Sequence, residues 1–164
     1  MNPPATKVLV IGYVWPEPRS SAAGGHMMQI LESFLAQGWD ITFSSPAASG
    51  EHKADLPALG VRECAIELNN SSFDEFIQQL APDIVLFDRF MMEEQFGWRV
   101  EKCCPNALRV LESSDLQSLR DARHQRLKDF LKTQPEADDF SPLFSQDLAA
   151  EFTYMADTDL ANPP

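Results

Sequence analysis

Residues 7–37 read KVLVIGYVWPEPRSSAAGGHMMQILESFLAQ. Positions 7–14 are an aliphatic and β-branched run, the pattern of a strand buried on both faces of a parallel sheet. Met27, Ile30, Leu31, Phe34 and Leu35 then fall at i, i+3, i+4, i+7 and i+8, one face of a helix that opens near Gly24-Gly25. Gly38 stands where a left-handed stop would end it. A strand, a loop carrying Pro16 and Pro18, and a helix make the first half of a βαβ unit. Open α/β sheets bind ligands beyond the carboxyl ends of their strands. The loop 15–25 is therefore the first place to look for function.

The glycine pair admits two readings. Glycine in a helix interior costs about 1 kcal/mol against alanine. Without Cβ atoms, however, a phosphate or sugar can approach the unpaired, partly positive amides of a first turn. Alternatively, the glycines only let the helix pack tightly on the sheet, or the helix begins after them.

Working outward, residues 41–45 read as a second strand, and 47–59 as loop with at most a turn of helix. Residues 61–68 alternate as a one-faced edge strand. The turn 69–72 supplies a cap for a helix over 73–80, with Phe73, Phe76, Ile77 and Leu80 on one side. DIVLF at 83–87 is a central strand, and Asp88-Arg89 follows at its carboxyl end, either meeting a polar ligand or serving as a surface ion pair or cap. Met92, Phe96, Val100, Cys103 and Cys104 mark the next helix, with Trp98 at its rim and Pro105 beyond. Residues 107–111 are a fifth strand, ended by Glu112-Ser113-Ser114-Asp115, and 116–130 a helix whose other face carries Arg120, Arg123, Arg126 and Lys128. That basic face either docks a phosphate-bearing ligand or is simply solvated. An acidic loop, 134–141, precedes a last amphipathic helix on Phe144, Leu148, Phe152 and Met155. This alternation predicts an α/β fold: a Rossmann-like, doubly wound, mostly parallel sheet of about five strands with helices on both faces.

The chain has 164 residues, a formal net charge of -12 and 44% hydrophobic residues, which suits one globular domain with a core over 7–131. A chain of this length buries about 70% of its unfolded surface. The acidic balance weighs against nucleic acid and anionic membrane as partners. There is neither a signal-peptide pattern at the start nor an apolar run near the roughly 20 residues of a membrane span, so a cytoplasmic location is expected. Cys64, Cys103 and Cys104 make no disulfide framework and no CxxC; buried thiols are the favoured reading. His26, His52 and His124 form no metal spacing. GxGxxG, GxxxxGK[ST] and GxSxG are all absent, which weighs against the usual dinucleotide, P-loop and hydrolase chemistries.

Three stretches carry a resemblance: the Pro-containing loop with Gly24-Gly25, APDIVLFD at 81–88, and LESSDLQSLR at 111–120. Together they resemble the N-terminal domain of a GT-B glycosyltransferase, of the retaining group that includes glycogen and sucrose synthases (glycosyl transferase family 4 type). APDIVLFD is similar to that group's "xPDhhhxH", and Asp115, Leu116 and Arg120 fit its "hhxxxHDLxxxR". Ser114 stands where the pattern has His, a departure, because a serine can hydrogen-bond a hydroxyl but cannot do the work of an imidazole.

The resemblance implies transfer of a sugar from a nucleotide-sugar donor to an acceptor hydroxyl, with no other cofactor and no metal. It places Gly24, Gly25, Arg89 and Asp115 in the substrate cleft, and makes Ser114 and Asp115 the candidates nearest the chemistry. Asp115 also reads as an N-cap. The expected partners are a glycan or other hydroxyl acceptor and a C-terminal donor-binding domain. That domain, with its E-x7-E motif, has no counterpart in this sequence, so the 164 residues alone are expected to be inactive. The other readings are a non-catalytic Rossmann-like interaction module, using the basic face 120–128 or the segment 144–155, and a small flavodoxin-like enzyme.

Overall fold

The computed structural model describes residues 4–113, 117–136 and 139. The chain divides into two compact units, Met1–Ser114 and Asp115–Pro164. The described residues of the first form five strands, β1 (Lys7–Ile11), β2 (Asp40–Ser45), β3 (Arg62–Ala65), β4 (Ile84–Asp88) and β5 (Leu108–Glu112), and three α-helices, α1 (Ala22–Ala36), α2 (Ser72–Leu80) and α3 (Phe90–Cys103). A single 3-10 turn, Pro57–Leu59, lies in the loop before β3. In the second unit the described helix is α4 (Gln117–Thr133).

The sheet is parallel throughout, in the order β3-β2-β1-β4-β5. This is the Rossmann-like arrangement, and its order reverses between β1 and β4. Buried side chains segregate by strand parity. Val8, Val10, Ile41, Phe43 and Leu86 pack with Met27 and Leu31 of α1. Leu9, Ile11, Val85 and Phe87 pack on the other face with Phe73 and Ile77 of α2 and Met92, Phe96 and Val100 of α3. Each such fully buried side chain contributes about 1.5–3 kcal/mol of transfer free energy, so the central strands β1 and β4 hold the unit together. Phe73 and Phe96 join α2 to α3 with ring centroids 4.6 Å apart.

Local chemistry explains the boundaries. α1 opens at Ala22, two residues before the glycine pair, because the Ser21 side chain caps it. It ends in a Schellman turn: Gly38 N–H donates to Leu35 O and Trp39 N–H to Phe34 O, with Gly38 at φ 73°. β1 stops at Ile11, earlier than the apolar run suggests. At Gly12 a Cβ would overlap the Phe43 ring, and Tyr13 and Val14 turn out toward solvent. β3 is an edge strand as expected, though only four residues long. Cys104 falls just outside α3, as its C-cap.

Taken by itself, α4 has Leu127, Phe130 and Leu131 half-buried and Arg120, Arg123 and Lys128 exposed. The segment 144–155 lies outside the described residues.

Candidate functional site

At the carboxyl ends of β1 and β4, where the strand order reverses, a cleft of about 90 Å3 opens. The loop after β1 forms one wall with Trp15, Pro16 and Glu17, the start of α1 another with Ser21 and Gly24, and Asp88 and Arg89 close it from the end of β4.

The loop is held from below. The Trp15 indole is buried, its N–H donates to Ala47 O at 2.8 Å, and its ring lies against Phe43. Lys53 Nζ sits 4.7 Å from that ring's centroid and pairs with Glu63. The Ala54 N–H donates to Pro16 O. These contacts bring the Glu17 backbone directly against α1 at Gly24.

Asp88 is the buried charge of the site. Its residue is 9% exposed, and its Oδ2 accepts the Tyr13 N–H at 3.3 Å. Arg89 Nε stands 3.9 Å from its Oδ1. Burial raises the Asp88 carboxyl above its ordinary value, and Glu112 pushes the same way. Arg89, the Tyr13 N–H and His26 pull it back. Glu112 is the register partner of Asp88 on β5, so the two acids share a face of the sheet. His26 Nε2 of α1 stands 3.7 Å from Glu112 Oε1.

Arg89 adopts φ 72°, ψ 153°, a region that side-chain-bearing residues rarely enter and that costs of order 1–3 kcal/mol. Its guanidinium lies over the Tyr13 ring, 5.1 Å from the centroid, and its N–H donates to Glu112 O at 2.8 Å.

The sequence-derived residues separate here. Gly24 and Arg89 line the cleft; Gly25 is not among its lining residues. Neither glycine offers a free amide, because the Gly24 N–H donates to Ser21 Oγ and the Gly25 N–H to Ser21 O. What packs closely on Gly24 is the loop and not the sheet, since a Cβ there would stand 2.5 Å from Glu17 O; around Gly25 there is open space. Ser114 and Asp115 lie outside the described residues. Reading the sequence missed Tyr13, His26 and Glu112 as parts of this cluster. The available signal was that two consecutive apolar strands, IVLFD and LRVLE, each end in an acid.

Among the described residues no group of three or more His, Cys, Asp or Glu side chains is placed to hold a metal ion. No helix among them is long and apolar enough to cross a membrane. No family model, curated protein or solved structure matches the chain.

Proposed function

We propose that the first unit is the acceptor-side domain of a glycosyltransferase that moves a sugar from a nucleotide-sugar to an acceptor hydroxyl. The observation that supports this most is the cleft at the β1/β4 switch point, with buried Asp88 beside strained Arg89. A desolvated carboxylate is a strong acceptor for ligand hydroxyls. The adjacent guanidinium can hydrogen-bond ring or hydroxyl oxygens, or balance a donor phosphate.

Size bears on the reading. A complete small-molecule site encloses about 300–1,000 Å3, several times the 90 Å3 of this cleft. This cleft would hold one edge of a sugar, a diol or a hydroxymethyl group, and the rest of the ligand would need a further wall. That is the division of labour expected of an acceptor-side domain that works opposite a donor-binding domain.

The test is amide chemical-shift mapping of the chain with a panel of oligosaccharides and nucleotide-sugars, repeated with R89A. Saturable shifts confined to residues 12–24, 88 and 89, and lost in R89A, are the expected result. A panel that leaves those amides unmoved removes the assignment.

A second reading, a non-catalytic interaction module, is favoured by one feature. Leu108 and Val110 of β5 are 60% and 37% exposed on the face they share with Ile84 and Leu86. Saturable binding of a protein partner, abolished by L108K, with no glycan binding would select this reading.

A further inference from the structure

A second concavity lies at the amino-terminal ends of β4 and β5, on the opposite edge of the sheet from the cleft. It is an open groove of about 480 Å3 that includes Ala81, Pro82, Cys103, Cys104, Pro105 and Ala107. Cys103 is the last residue of α3, and Cys104 leaves the helix at φ -136°, ψ 66°. Along a continuing helix, consecutive side chains diverge by about 100° around the axis. Here the helix ends at Cys103, and both residues line one groove.

The Cys104 Sγ donates to Ile77 O at 3.4 Å. Burial raises its pKa, and the neighbouring Cys103 adds to the rise, so Cys104 is a neutral thiol at physiological pH. Such a thiol is a poor nucleophile but retains its affinity for soft centres. Tetrahedral zinc needs four ligands, and no group of three metal-binding side chains occurs among the described residues. Two adjacent soft ligands, in a groove where Ala81, Pro82, Pro105 and Ala107 alternate with the polar Gln78, Asp83 and Asn106, fit a centre that takes two sulfurs from the protein and carries its own third, organic substituent.

We propose that Cys103 and Cys104 form a chelating site for a trivalent, thiophilic organoarsenical. In the reaction of an aryl arsenoxide, two As–S bonds form and the As=O bond is lost. The oxygen leaves as water, carrying both thiol protons. Arsenic stays trivalent, so no oxidant or reductant enters. The aryl group would lie along Ala81, Pro82 and Pro105.

The experiment is titration of the folded chain with phenylarsine oxide, read by intact mass and by free-thiol count without denaturant. One arsenic is expected per chain, with two of the three thiols consumed. The adduct should survive excess monothiol and be removed by a dithiol. Chelation gains about a hundredfold or more over single-site binding, so C103S and C104S should each lose at least that much retention, and C64S none. Far-UV circular dichroism of each variant separates loss of the site from loss of the fold. Unchanged retention in C104S, or an adduct that forms only in denaturant, would overturn the proposal.

Discussion

The carbonyl oxygen of Glu17 lies 2.5 Å from the point where a Cβ on Gly24 would stand, while a Cβ on Gly25 would meet nothing within 4 Å. Two neighbouring glycines in the first turns of one helix thus do different things. The first lets a loop cross against the helix; the second is unconstrained by packing.

Substitution should separate them. Because the obstruction at Gly24 is backbone, G24A cannot be relieved by a rotamer change and should cost about 2 kcal/mol, typical of overpacking. G25A should stabilise by about 0.5–1 kcal/mol through helix propensity. Urea denaturation of the two variants beside the parent measures both. Equal effects would show that the loop does not sit against Gly24 in solution.

Arg89 gives a sharper contrast. Its backbone lies in a region nearly reserved for glycine, and its stacking on Tyr13 returns only about 0.5–1 kcal/mol at an exposed site. R89G should therefore stabilise the chain by about 1 kcal/mol, whereas R89A keeps the strain, loses the stacking and should destabilise. Thermal unfolding decides the order. If R89G proves the less stable of the two, the backbone is not strained there.

The Asp88 carboxyl sets a pH dependence of definite sign. Its folded pKa is raised above the ordinary 3.8, so between that value and the raised one the folded chain binds more protons than the unfolded chain. Stability contributed by this group is present below 3.8 and is lost as pH rises through the folded pKa. D88N can still accept the Tyr13 N–H and should flatten that decline relative to the parent. Unfolding free energies measured from acid to neutral pH give the comparison, and parallel curves for the two proteins would count against a desolvated carboxylate.

Trp15 anchors the loop. W15F retains a buried ring but leaves the Ala47 carbonyl without its indole donor, which should cost about 1 kcal/mol. Amide exchange should quicken over 14–20 more than in β4. Uniform quickening throughout the unit would point to global destabilisation instead.

The periodicities of residues 7–37, the two apolar runs at 83–87 and 107–111 and the positions of Gly38 and Pro105 were legible in the sequence, and they determined five strands, alternating helices and a parallel sheet. Burial of alternating apolar side chains leaves few other solutions for such a pattern. Boundaries were less legible: β1 ends at Ile11, before Gly12, whose missing Cβ leaves room for the Phe43 ring, and the local cap Ser21, not the glycine pair, starts α1. The site was legible only as the dipeptide Asp88-Arg89 and the loop before α1. That Asp88 lies beside Glu112, that His26 faces Glu112 and that Arg89 stacks on Tyr13 follow from strand order and register. Side-chain type and spacing specify which face of a strand is buried. They do not specify which strand lies next to it, because neighbours in a parallel sheet are joined by crossovers whose length says little about strand order. The tertiary structure alone decided which charges gather around Asp88.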